Sequence, residues 1–277
     1  RRLLGLAYRM LGSMAEAEDA VQEAYLRWHD SDRDRVEEPR AFLMTTTTRI
    51  CLDVLKSARM KREEYVGPWL PDPVTDTASL APDAQTELAE DLSVALLLAL
   101  DRLSPLERAA FLLHDVFDVS FADIARTLDE SEANCRQLAA RARERVRTNR
   151  KRFTVSPDMG RRLAGAFIDA ARSGDPSRLS ALLVEDAKFI SDGGGRVSAA
   201  SKPVLGRKAV AKLLVGIMRR IPAHIEFCAA QVNGLPGFVL RHNGVPIQTL
   251  AFEASADAKI AAIYIVRNPD KLRHLLP

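Results

Sequence analysis

Residues 120–152, SFADIARTLDESEANCRQLAARARERVRTNRKR, leave this chain few folds to choose from. Ile124 and Leu128 give a first short helix one buried side, and the small Ala125 sits where a second helix has to pass closely. Ser131 suits the N-cap of that second helix, its hydroxyl accepting an orphan backbone N–H. Cys135, Leu138, Ala142 and Val146 then recur at helical spacing as an inner stripe. Glu132, Ala133, Arg136, Gln137, Ala140 and Arg141 are left facing outward, as a helix that enters a major groove requires. The run Arg141, Arg143, Arg145, Arg147, Arg150, Lys151 and Arg152 would lie near phosphates. Many helix-turn-helix motifs have Gly in the turn. Asp129 stands there instead, and Asp tolerates the left-handed conformation better than most residues. An amphipathic helix pair with a solvated basic face has the same pattern, so on these residues alone both readings stand.

Net charge is only +3 over 277 residues, so affinity for nucleic acid has to come from local clustering. That length suits two or three domains. Hydrophobic content of 47% and charged content of 28% are those of an ordinary globular protein. No apolar run is long enough to span a membrane and no signal peptide is legible, so a cytoplasmic location is expected. The chain begins at Arg1 rather than Met, inside what reads as a helix, and residues upstream are expected. Cys51, Cys135 and Cys228 form no CxxC pair and read as reduced, mostly buried thiols. No disulfide, metal or cofactor is expected.

Residues 1–66 read as helical. Ser13 and Glu16 have the spacing of a capping box, and Ala17, Val21, Ala24, Tyr25 and Trp28 follow as an apolar stripe. Asp19, Gln22, Glu23 and Leu26 lie on or beside the opposite face. After the polar loop SDRDRVEEP, Pro39 suits the first position of a long helix. Leu43, Thr47, Ile50, Val54 and Ala58 would face in, and Phe42, Thr46, Arg49, Asp53 and Lys56 out. Residues 67–84 are rich in Pro, Asp, Ser and Thr and read as an interdomain linker. Trp69 and Leu70 are out of place in a flexible spacer and suggest a docking point. Helices resume over 85–153, with Leu88, Leu92, Ala95, Leu96, Ala99 and Leu103 marking the first. Ser104, Pro105 and Glu107 mark the next start.

Residues 157–277 have another texture. Two helices, 157–174 and 179–183, precede strand-like runs at 186–191, 223–232, 238–241, 247–254 and 260–266. A helix over 207–220 interrupts them. The order suggests an α+β domain with a curved, hairpin-connected antiparallel sheet.

Taken together, AYRMLGSMAEAEDAVQEAYLRW, RAFLMTTTTRICLDVLKSARMKREEY and SPLERAAFLLHDVFDVSFADIARTLDESEANCRQLAARARERV resemble sigma domains two and four of the extracytoplasmic-function group of bacterial sigma-70 factors. WLPDP at 69–73, DGGGR at 192–196 and NPDKL at 268–272 are similar to the WLPEP, DGGGK and NPDKL of its SigJ-type subgroup, which carries a C-terminal SnoaL-like domain of the NTF2-like fold. The resemblance implies a multidomain chain. Two all-α sigma domains, 1–66 and 85–153, are followed by an α+β cone at 157–277.

It further implies a transcription initiation factor that binds core RNA polymerase and promoter DNA, without catalytic residues, cofactor, metal or membrane. Asp19, Gln22, Glu23 and Leu26 would dock on the clamp helices of the largest subunit. Thr45, Thr46, Arg49, Lys56, Arg59 and Arg62 would meet a CGTC-like −10 element, with the loop 31–38 taking a flipped base. Glu132, Asn134, Arg136, Gln137 and Arg141 would read or bracket the −35 element. Trp69, Leu70, Pro71, Asp72 and Pro73 would meet Asp192, Gly193, Gly194, Gly195 and Asn268, Pro269, Asp270, Lys271 and Leu272, and so fix the spacing of the sigma domains. By itself DGGGR suits a tight turn with close backbone approach, and NPDKL a helix start with Asn268 as N-cap.

Two other classes stay open. One is a one-component regulator sensing a small molecule in the C-terminal pocket. The other is a sigma-fused SnoaL-type enzyme using groups among His224, His242, Asp186, Glu226 and Tyr264, which have no defined mutual spacing. A separate anti-sigma partner is left undecided by the residues.

Overall fold

The computed structural model describes residues 1–32, 36–63, 65–75, 80, 91–149 and 156–276, without the side chains of 58–63, 149 and 157. The chain forms two compact units, Arg1–Glu64 with Asp76–Lys151, and Tyr65–Thr75 with Arg152–Pro277. The segment joining the two helical stretches of the first unit thus belongs to the second. Its residues 67–75, expected in a linker, are not a spacer. Leu70 is fully buried, and Pro71, Asp72, Pro73 and Val74 are buried beside it. Positions 76–79 and 81–84 of the expected linker, and Leu88 of the expected helix, lie outside the described residues.

The first unit begins with α1 (Arg2–Leu11), α2 (Met14–Asp30) and α3 (Pro39–Glu63). Ser13 caps α2, its hydroxyl accepting from the Glu16 N–H at 3.5 Å. Ala17, Ala20 and Ala24 are the buried residues along α2 after Met14. Tyr25, expected to face inward, is 62% exposed. Small residues let α2 lie close on its neighbours, so volume rather than hydrophobicity selects the inner face. In α3, Thr47 and Ile50 are buried as their spacing predicts.

The unit continues with α4 (Val94–Asp101), α5 (Pro105–Phe111), a π-helical turn (Leu112–Val116), α6 (Phe121–Leu128) and α7 (Glu132–Asn149). Ser93 caps α4, which starts after Leu92 rather than before it. Ser104 and Glu107 form a complete capping box with Pro105 at the first turn of α5. Two buried arginines tie the early helices to the later chain. Arg9 donates to the carbonyl of Leu80 at 3.1 Å, and Arg108 donates to the Met10 carbonyl. Desolvation pulls each guanidinium down to a pKa of about 10. Each offers several donors to backbone oxygens that would otherwise be buried unpaired. Gly5 permits the approach of Leu80, because a Cβ there would lie 2.1 Å from its carbonyl oxygen.

The second unit contains α8 (Pro157–Arg172), α9 (Pro176–Leu182), β1 (Leu183–Asp192), β2 (Val204–Leu205), α10 (Arg207–Met218), β3 (Glu226–Val232), β4 (Leu235–His242), β5 (Val245–Ala254) and β6 (Ile260–Val266). The strands form one six-stranded sheet in the order β2-β1-β6-β5-β4-β3. From β3 to β6 it is an antiparallel meander, but β1 runs parallel to β6, so the sheet is mixed rather than wholly antiparallel. A parallel pair needs a long crossover. Here the chain between β1 and β6 supplies it, including β2, a strand not anticipated from the residues. Register shifts in β1, β4 and β5 bend the sheet. α8 and α10 cover one face, closing a core around Phe167, Phe189, Leu214, Phe238, Phe252 and Ile263. The unit is thus of the expected α+β class, with helices packed on one curved mixed sheet.

Candidate functional site

The helix-turn-helix has the predicted geometry. Asp129 adopts φ 57° and ψ 49°, and its N–H bonds the Ala125 carbonyl to close α6. The Ser131 hydroxyl accepts from the Asn134 N–H at 3.2 Å to start α7. Cys135, Leu138, Ala142 and Val146 are buried. Glu132, Ala133, Arg136, Gln137, Ala140 and Arg141 are exposed. Arg136 is held by Glu132 at 2.7 Å and lies over the Phe121 ring, 5.2 Å from its centroid. Asn134 donates to Glu130. The basic run behind this face is more engaged than its composition suggests. Arg143 pairs with Asp115, Arg145 with Glu107 and Arg147 with Glu144. Arg150, Lys151 and Arg152 lie outside the described residues.

On α3, Thr45 and Arg49 meet α6. The Thr45 and Thr127 hydroxyls are 2.9 Å apart. Arg49 donates through Nε to the Thr127 carbonyl at 3.0 Å and through Nη2 to the Arg126 carbonyl at 2.9 Å. A helix C-terminus leaves carbonyls without internal partners and carries partial negative charge, so a guanidinium suits it well. A group expected at DNA is here bound to protein. Thr46 is partly exposed, and the exposed Lys56 pairs with Asp53. The side chains of Arg59 and Arg62 lie outside the described set, as do residues 33–35 of the loop after α2.

α2 presents Asp19 and Gln22 exposed, Glu23 paired with Arg27, and Leu26 at 50% exposure beside Tyr25. Two large apolar side chains stand among acids and amides on one helix.

A polar cluster in the second unit gathers all three short motifs around Asp192, which is fully buried. Its Oδ1 accepts from the Tyr65 hydroxyl at 2.5 Å and the Gly194 N–H at 3.0 Å. Its Oδ2 accepts from the Leu70 N–H and the Lys271 ammonium, both at 2.9 Å. Lys271 also donates to the Leu70 carbonyl and sits 4.4 Å from the centroid of the Trp69 ring, a cation–π contact. Asn268 caps the short turn Pro269–Lys271 by accepting from the Asp270 N–H, and its amide nitrogen donates to Tyr65. Burial, together with Asp192 as hydrogen-bond acceptor, pushes the Tyr65 hydroxyl pKa well above its ordinary value.

Each glycine of 193–195 has its own reason. A Cβ on Gly193 would lie 2.3 Å from the Val197 carbonyl oxygen, and one on Gly194 2.2 Å from the Asn268 amide. On Gly195 it would lie 3.1 Å from Val66. Tyr65, Asn233 and His274 complete the grip and were not singled out from the residues. Val74 exchanges two hydrogen bonds with Asn233, and His274 meets the Pro73 carbonyl at 2.6 Å. No local period marks such residues, because their partners are far along the chain.

One consequence is measurable. Gly194→Ala places a side chain at φ +58° against Asn268 and should destabilise the second unit by about 1–3 kcal/mol in denaturant unfolding. Gly165→Ala, in α8 with open space around it, should stabilise by about 0.5–1 kcal/mol instead. Equal shifts would mean that the Gly194 turn is not under constraint.

The five candidates for acid–base work are not assembled. Asp186 is exposed on β1, and two strands separate β1 from β4, which carries His242. His224 and His242 stack with ring centroids 4.7 Å apart, both exposed, and Glu226 is exposed nearby on β3. Tyr264 is buried and donates to Glu253 at 2.6 Å, and desolvation, with the Glu253 charge and hydrogen bond added, raises its pKa. The described residues contain no group of three side chains able to hold a metal, and no helix long and apolar enough to cross a membrane.

Comparison with known proteins bears on both units. The family described as sigma-70 region 2 matches residues 1–60, and sigma-70, region 4 matches residues 93–146. The ECF RNA polymerase sigma factor SigJ of Mycobacterium tuberculosis is 38% identical over 282 residues, covering 98% of this chain and 90% of that protein. The probable ECF sigma factor SigI of the same organism is 37% identical over 183 residues, 65% of this chain and 63% of that protein. The crystal structure of M. tuberculosis SigJ superposes with a TM-score of 0.73 at 35% identity, covering 97% of this chain and 94% of that one.

Proposed function

Since this chain belongs to the extracytoplasmic-function sigma factors of the sigma-70 family, we propose that named faces of its first unit divide the family's work and that its second unit controls them in cis. Members of the family serve RNA polymerase in promoter recognition and transcription initiation. In this reading residues 1–66 act as sigma domain two, 85–153 as domain four and 157–277 as a regulatory domain that is not an enzyme.

Asp19, Gln22, Glu23 and Leu26 on α2 dock on the clamp helices of the polymerase. Exposed apolar area ringed by acids suits a basic partner groove. Thr45, Thr46, Arg49, Lys56, Arg59 and Arg62 serve the −10 element. For Arg49 to do so it must exchange the carbonyls of Arg126 and Thr127 for DNA phosphates, so promoter engagement opens the α3–α6 contact. Arg136, Gln137 and Arg141 read the −35 element from the exposed face of α7, with Glu132 and Asn134 bracketing them.

The observation that carries the cis control is the placing of residues 65–75. The connection between the two sigma domains is built into the C-terminal unit through Asp192 and Lys271.

The test is in vitro transcription with purified core polymerase and a promoter carrying both elements. The full chain should direct specific initiation and bind core enzyme. Loss of both activities, with operator binding retained by the chain alone, would move the assignment to a one-component regulator.

A further inference from the structure

Where α8 and α10 end against β3, a cavity of about 350 Å³ opens. Met218, Ile221, Ile225 and Phe227 supply apolar wall, and its charged lining residues are Arg172 and Arg219. No acid lines it. The Arg172 guanidinium lies 5.5 Å from the centroid of the Phe227 ring, and neither arginine has a carboxylate partner among the described residues.

Arginines at helix ends have an ordinary use, since they balance the negative pole of the helix. Each pole amounts to roughly half an elementary charge, so two helix ends take up about one of the two positive charges. The charged side chains that line this half-open, partly apolar cleft are both positive. The chamber's size is at the low end of ligand-binding pockets, which run to about 300–1,000 Å³.

We propose that this cavity binds an amphipathic monoanion, a medium-chain carboxylate. Its tail lies against Phe227 and Ile225, and its head is held by Arg172 and Arg219. A guanidinium offers a carboxylate two parallel N–H donors, a match that neither a neutral nor a cationic head can reproduce. β3, which supplies Phe227, runs on to Asn233, whose backbone and side chain hold Val74. An occupied cavity therefore touches the same strand that grips the connecting segment.

The experiment is calorimetric titration of the full chain with decanoate, alongside decan-1-ol and decyltrimethylammonium. Decanoate should bind saturably at one site, with a Kd on the order of 0.1 mM. The neutral and cationic analogues should bind about tenfold more weakly or not at all. The variant Arg172→Gln/Arg219→Gln should lose about tenfold in affinity while still unfolding cooperatively, with its melting temperature lowered only by the loss of two exposed helix-end charges. No saturable binding, equal binding of the three amphiphiles, or an unaltered Kd in the double variant would each overturn the proposal. The assay holds neither polymerase nor DNA, so its result is independent of the promoter reading.

Discussion

Asp192→Ala is expected to destabilise the second unit by about 3–5 kcal/mol, more than any other single change considered. The carboxylate is fully buried and accepts from the Tyr65 hydroxyl, the Gly194 N–H, the Leu70 N–H and the Lys271 ammonium. Removing it strands a positive charge whose side chain is only 10% exposed. Breaking a buried pair from one side costs more than replacing both partners, so adding Lys271→Met should recover a large part of the loss. Denaturant unfolding of the full chain followed by two probes, one in each unit, reads the effect directly. A loss below about 1 kcal/mol, or none of it recovered in the double variant, would mean that the Asp192–Lys271 pair does not hold the segment 65–75. The functional counterpart follows from effective concentration. If the proposed faces read DNA, a held connector would fix the span between them, whereas a loose one would sample many spans. Transcription by Asp192→Ala should therefore depend less steeply on the number of base pairs between the −35 and −10 elements.

Arg136→Ala and Arg141→Ala should each weaken binding to a −35 duplex by roughly 5- to 150-fold, the range of one good bidentate base contact of about 1–3 kcal/mol. The fold should barely change. Arg136 and Glu132 form an exposed i,i+4 pair of the kind that contributes about 0.3–0.5 kcal/mol. The Arg141–Glu107 approach is long, at 3.9 Å. Anisotropy titrations over a range of salt separate the two possible roles. An arginine that reads a base loses sequence discrimination when removed, and one that grips a phosphate lowers the salt slope by about one instead. Wild-type affinity in both variants would place the reading face elsewhere on α7.

What was legible in the sequence was local. The turn at Asp129, the Ser131 cap, the inner stripe from Cys135 to Val146 and the capping box at Ser104 each depend on residues a few positions apart, and all are present. Tyr25 misled because hydrophobicity ranks it above alanine, while close helix packing prefers Ala20. The parallel pairing of β1 with β6 was hidden because no hairpin signal announces a crossover. At the candidate site the three short motifs were visible as strings, but Tyr65, Asn233 and His274 had nothing nearby to mark them. Arg49 was read as facing DNA because a cation on an outer helix face says nothing about a helix end some 77 positions later.

The grip on residues 65–75 also has a timetable. Leu70 and Lys271 are separated by 201 positions, so a ribosome adding about 5–20 residues per second releases the first some 10–40 s before the second. In the later part of that interval, once residue 151 has been added, both helical stretches of the first unit are made while the segment between them still lacks Lys271. A chain still being synthesised, or one clipped ahead of Asn268, carries the helical unit with that segment lacking its contacts to Asn268, Lys271 and His274. Nascent and finished molecules of the same sequence are thus expected to differ in protease sensitivity at Trp69, with protection arriving only when the last strand and its following turn have docked.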